Sequence, residues 1–121
     1  MFLNRGRYGE CQVLGPAAVE ALTRNQIPGV PATYGDEFFP EASWSLAWDV
    51  RGNKKVLRDA LLFSSETFEH GGAGGVCLCI DPVNDIIVAY FSVQVHQGQR
   101  IGSPMWRGDL FANAAIAAID D

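Results

Sequence analysis

Histidine, lysine and cysteine are scarce in this sequence. Two histidines, two lysines and three cysteines stand among its 121 residues. An odd cysteine count gives no disulfide framework. Cys77 and Cys79 lie two apart in Val-Cys-Leu-Cys-Ile, so a strand puts both on one face. Their spacing is not the Cys-x-x-Cys of a zinc knuckle or a thioredoxin motif, and they read as small buried apolar groups. No carboxylate sits at a recognisable spacing from His70 or His96, so neither a metal site nor a cofactor is expected. Basic clusters are scarce too. The formal net charge is -5, and the one short basic run is Lys54-Lys55 with Arg51 and Arg58 nearby. Binding nucleic acid by counterion release needs a basic face, so no nucleic-acid partner is expected. No apolar run approaches the roughly 18 residues of a membrane span. The opening Met-Phe-Leu-Asn-Arg-Gly-Arg-Tyr has no apolar stretch after its charges, so no signal peptide is read.

What is present suits a globular chain. Apolar residues make up 48% and charged residues 19%, and this length suits one domain with one core. Gly15 to Gln26 reads as a helix, with Pro16 in its first turn and Val19, Leu22 and Thr23 at helical spacing. Pro28, Gly29, Pro31, Gly35 and Pro40 then argue against regular structure. Ser43 to Val50 reads as a strand, because Trp44, Leu46 and Trp48 alternate with smaller or polar residues. Gly52 to Lys55 reads as a turn, and Glu66 to His70 as a strand.

Two apolar runs follow. Gly75–Ile80 and Asp85–Val95 are strands joined through Asp-Pro-Val-Asn-Asp, an antiparallel hairpin. Their unbroken apolar character suggests cover on both faces. Leu110, Phe111, Ala114, Ala115, Ala118 and Ile119 mark one face of an alanine-rich terminal helix, suited to lying on a sheet. The fold class is therefore α+β: an antiparallel sheet of about four strands, ordered Ser43–Val50 strand, Glu66–His70 strand, hairpin, with the C-terminal helix packed on it.

The chemistry concentrates at His70-Gly71-Gly72-Ala73-Gly74-Gly75. A glycine loop that cradles phosphate must open a helix, and this one opens a strand, so dinucleotide and P-loop readings fail. Two readings remain from the residues. The glycines permit a bulge or close packing, or something must approach the backbone there.

The ordered segments resemble the C-terminal part of the serine β-lactamase and penicillin-binding-protein-like hydrolases, in their class C-like and esterase branch. Met1–Tyr8 followed by Val13–Gly29 resembles that family's sequence of helix end, short hairpin and new helix. Ser-Trp-Ser-Leu-Ala-Trp-Asp-Val resembles its strand of tyrosine or serine, glycine, leucine, glycine, tryptophan. Phe68–Gln94 resembles the third-motif strand and the two strands after it, and Leu110–Ile119 the terminal helix. The resemblance implies that His70, Gly71 and Gly72 hold the positions of a basic residue, a small residue and glycine. It implies that Ala73 supplies a backbone N–H to the oxyanion hole, where such fixed donors contribute about 3 kcal/mol each. His70 stands where lysine is commoner. An imidazole is only partly charged near pH 7, which weakens the expected hold on a β-lactam carboxylate.

The family's other two motifs are not in this chain. Ser-x-x-Lys needs a serine three before a lysine, and Arg51 and Gly52 precede Lys54 and Lys55 at that spacing. Tyr8, Tyr34 and Tyr90 are followed two places on by Glu10, Asp36 and Ser92, not asparagine, and no serine has asparagine two places on. The expectation is a single partial domain, residues 1–121, inactive alone, with Met1 matching an internal methionine of a longer ancestor. Its partner is a missing N-terminal segment or a second copy, and a small ester or amide is the substrate only once the site is completed. The other readings are a free-standing binding or assembly module and a small enzyme pairing His70 with Cys77 or Asp81. Self-association is expected because one short helix cannot cover Trp44, Trp48, Phe68, Ile86, Val88 and Tyr90 together.

Overall fold

The computed structural model describes residues 1–34, 37–53, 62–72, 75–92 and 107–119. Its centre is a four-stranded antiparallel sheet in the order β5 (Asp49–Val50), β6 (Phe68–Gly72), β7 (Val76–Asp81), β8 (Ile86–Tyr90). Two small hairpins precede it: β1 (Arg7–Tyr8) with β2 (Cys11–Gln12), and β3 (Ala32–Tyr34) with β4 (Glu37–Phe39). Helix α1 (Pro16–Thr23) lies between them, and α2 (Arg107–Ala117) closes the fold against β8. The α+β class, the strand order and the helix on the sheet agree with the sequence expectation.

Register decides what each face of the sheet carries. Phe68 pairs with Ile80, Glu69 with Cys79, His70 with Leu78, Gly71 with Cys77 and Gly72 with Val76. Across the next ladder Cys77 pairs with Tyr90, Cys79 with Val88 and Ile80 with Ile87. Side chains alternate along a strand. One face therefore carries Glu69, Cys77, Cys79, Asp81, Ile86, Val88 and Tyr90. The opposite face carries Phe68, His70, Val76, Leu78, Ile80, Ile87 and Ala89.

The first face lies under α2. Cys77, Cys79 and Val88 pack with Phe63 and Ala112, and Ile86, Tyr90, Ala115 and Ile116 lean on them. Alanines at 112 and 115 let the helix approach the strands closely. Among the described residues the second face is covered at one end, where Phe2, Leu3 and Trp48 sit on Val50, Phe68 and Ile80. Phe2, Trp48 and Phe68 meet edge to face, with centroids 5.4 to 5.7 Å apart, the arrangement that aromatic quadrupoles favour.

Several boundaries differ from the sequence reading, each for a physical reason. Ser43–Val50 is not one strand. The chain folds back between Trp44 and Asp49, which form a single bridge. Ser45 closes that turn: its hydroxyl oxygen accepts from Trp48 N–H at 2.7 Å and Ala47 N–H at 3.2 Å, and its own N–H donates to Trp48 O at 2.9 Å. Hydroxyl capping of this kind outcompetes a strand whose alternation is right. The proline-rich segment does hold a hairpin, β3–β4, with Pro31 and Pro40 immediately outside its strands, where no ladder N–H is needed. The strand expected at Glu66–His70 is displaced to Phe68–Gly72, so His70, Gly71 and Gly72 end β6 and do not open β7. Strand β8 stops at Tyr90; Gln94 and Val95 lie outside the described residues. Helix α1 is shorter than Gly15–Gln26, because Gln26 turns away to donate its N–H to Trp44 O at 2.7 Å.

The buried face of α2 matches the expected one only in part: Ala115 packs on the sheet cluster, and the Phe111 ring meets Tyr90 at 5.6 Å. Ala112 is buried and Ala115 and Ile116 pack beside it, while Leu110, Phe111, Ala114, Ala118 and Ile119 are exposed. Likewise Phe68 and Val88 are fully covered, Phe68 by the N-terminal residues and not by the helix.

Candidate active site

His70 and Gly71 stand at the open end of β6. Strand β5 pairs with Phe68 and Glu69 and goes no further, because the Ser45 turn carries the chain away. Arg51 N–H donates to Thr67 O at 2.9 Å, so the carbonyl of Thr67 faces β5. Gly72 O faces the other way and accepts from Gly75 N–H at 2.9 Å. Backbone groups alternate in direction along an antiparallel strand. The N–H and C=O of Gly71 therefore point to the side β5 has vacated. Among the described residues no strand occupies it.

The space around that edge is wide at Gly71 and tight at Gly72. A Cβ on Gly71 would meet nothing nearer than Val76 O at 3.9 Å, whereas one on Gly72 would come within 2.7 Å of Val76 Cγ2. Gly72 is thus required by the hairpin's own packing, while Gly71 leaves its backbone approachable. The His70 side chain is exposed, and its Nδ1 lies 2.9 Å from Gly71 O. Ala73, which completes the expected site, lies outside the described residues, as does His96.

The structure separates His70 from the other candidate reactive groups. Cys77 and Asp81 project from the face under α2, and His70 from the opposite face, so neither pairs with it as nucleophile or base. Both sheet cysteines are buried on one strand face, as their spacing implies. The Cys79 thiol donates to Glu69 Oε2 at 3.3 Å. The adjoining Cys77 thiol, burial and the Glu69 carboxylate together push the Cys79 thiol up, which suits an inert packed residue.

Asp81 is structural. It is completely buried and ends β7. Ser64 donates to it twice, N–H to Oδ2 and hydroxyl to Oδ1, both at 2.7 Å. Val83 N–H and Asn84 N–H also donate to Oδ1, and the Asn84 side chain donates to Oδ2. Burial works against the charge, yet the bonds from Ser64 and Asn84 outweigh it and hold the carboxyl below its usual range. The Asp-Pro turn signalled the local half of this network. Nothing in the sequence signalled Ser64, seventeen residues away.

The arrangement of strands has known counterparts. A β-lactamase of Mycobacterium bovis superposes with a TM-score of 0.72 at 19% identity, over 91% of this chain and 40% of that one. This is part of the β-lactamase-like fold. A protein of Salmonella enteritidis named D-alanyl-D-alanine carboxypeptidase is 26% identical over 120 residues, 98% of this chain. One of Escherichia coli K12 with the same name is 25% identical over 115 residues. The chain spans about a quarter of the length of these curated relatives, 24% and 23%. No protein-family model matches it. With that cover, the resemblance to the C-terminal part of the serine β-lactamase and penicillin-binding-protein-like hydrolases runs over nearly all of this chain. Among its described residues no helix is long and apolar enough to cross a membrane.

Proposed function

We propose that this chain supplies the His-Gly-Gly wall of a β-lactamase-like serine hydrolase site and does no hydrolysis by itself. The observation that carries this reading is the Gly71 edge: an open backbone N–H, beside a C=O that the exposed His70 imidazole meets at 2.9 Å, on the side β5 vacates. A substrate carbonyl or carboxylate can approach such an edge, and fixed donors there stabilise developing negative charge without reorganisation. In this role His70 is the polar group over the substrate, Gly71 the unobstructed backbone, Gly72 the close-packed turn residue and Ala73 the oxyanion donor. The nucleophile and its base come from a segment carrying Ser-x-x-Lys and Tyr-x-Asn or Ser-x-Asn, and the substrate class is a small ester or amide.

The test is an assay of the purified chain with a chromogenic cephalosporin and a p-nitrophenyl ester. The expected result is no turnover above that of a Gly71→Val variant. Turnover abolished by a covalent serine reagent overturns the reading.

A second reading, a free-standing module that associates with a copy of itself, is favoured by a different observation. Ile87 is 50% exposed on the face whose other end Phe2 and Leu3 cover, and Phe91, just past the end of β8, is 83% exposed. Reading the DNA upstream of Met1 separates the two. An in-frame Ser-x-x-Lys supports the first, and a promoter with a genuine start site supports the second.

A further inference from the structure

Thr67 is buried to 1% exposure, and its hydroxyl has no hydrogen-bond partner among the described residues. Such a group is costly unless something satisfies it. It lines a small cavity between β5 and β6 of about 10 Å3, whose other walls are Asp49, Arg51, Phe63 and Glu69. That volume is close to what one water needs, and water also needs two to four polar partners. The register supplies them. Asp49 is directly opposite Glu69, and Arg51 N–H bonds to Thr67 O, so all four polar walls project on the face under α2.

We infer that this cavity is a binding site for one ordered water, held by the Thr67 hydroxyl and the Asp49 and Glu69 carboxylates. A cavity of this size has no room for a hydrated cation. Its position matters because β5 leaves β6 immediately beyond this point, two residues before Gly71. The water is a fixed part of the support under the open edge. The inference does not depend on the functional reading above.

A crystal structure of the intact chain at a resolution that shows ordered solvent tests it directly. The expected result is one water within about 2.7–3.2 Å of Thr67 Oγ1 and of a carboxylate oxygen of Asp49 or Glu69. Thr67→Val keeps the shape and removes the hydroxyl. It is expected to lose the water and to lower the thermal midpoint by about 4 °C. A dry cavity, a water that does not touch Thr67, or a Thr67→Val chain as stable as the wild type overturns the inference. If Thr67→Val does not fold, the wild-type crystal structure decides alone.

Discussion

Ser64 holds Asp81 with both its backbone N–H and its hydroxyl, each 2.7 Å from a carboxylate oxygen. This pair ties the segment before β6 to the far end of β7, and so clamps the two strands that frame the His-Gly-Gly edge. Hydrogen bonds to a charged partner contribute about 1.5–3 kcal/mol, and leaving a buried donor unpaired costs a similar amount. Asp81→Asn therefore lowers stability by about 2–3 kcal/mol, read as a shift in the urea midpoint. An unchanged midpoint would show that the clamp is not energetically significant.

The same pair sets an acid limit. The Asp81 carboxyl is held below its usual range in the folded chain, so the unfolded chain binds its proton more readily as pH falls. Stability from this group is present above the ordinary aspartate range and is lost as pH drops through the lowered folded value. Urea midpoints measured downward from about pH 5 should fall more steeply for the wild type than for Asp81→Asn. Parallel curves for the two proteins count against the assignment.

Gly71 and Gly72 should respond oppositely to the smallest side chain. Gly72→Ala places a methyl 2.7 Å from Val76 Cγ2, and overpacking of that kind costs about 1–3 kcal/mol. Val76 is β-branched and cannot swing away freely. Adding Val76→Ala should recover most of the loss. Gly71→Ala has open space and should change stability by less than about 1 kcal/mol. The three thermal midpoints check this, and equal losses at both glycines contradict it.

Thiol reactivity reports the packing under α2. Cys11 is exposed, while Cys77 and Cys79 are buried. A disulfide reagent on the native chain should titrate one thiol rapidly, and all three only in denaturant. Rapid reaction of all three would mean that α2 does not stay on the sheet.

The exposed residues Ile87 and Phe91 bear on self-association. If a copy covers it, sedimentation equilibrium at micromolar concentration reports a dimer of the 13.1 kDa chain, and Ile87→Lys returns it to monomer. A wild-type monomer across that range removes the second functional reading.

The sequence by itself determined the elements whose signal is local. The β7–β8 hairpin was legible because two apolar runs flank an Asp-Pro turn, and β-branched residues in such runs commit to strands. A helix within Gly15–Gln26, a terminal helix over the Leu110–Ile119 stretch, and the shared face of Cys77 and Cys79 were legible for similar reasons of period and composition. The tertiary structure alone decided matters of register and of cover. Trp44, Leu46 and Trp48 alternate as a strand should, yet the Ser45 hydroxyl captures the N–H groups of Ala47 and Trp48 and makes a turn. Leu110 and Phe111 look like the core of α2, yet Ala112 is the buried residue, since a helix lying close on a sheet needs small side chains at the contact. His70 and Cys77 are seven residues apart, which says nothing about facing. The ladder places His70 against Leu78 and Cys77 against Gly71, and the strand period of two puts them on opposite sides of the sheet. Register is a property of the pairing between strands, and so lies beyond any pattern within one of them.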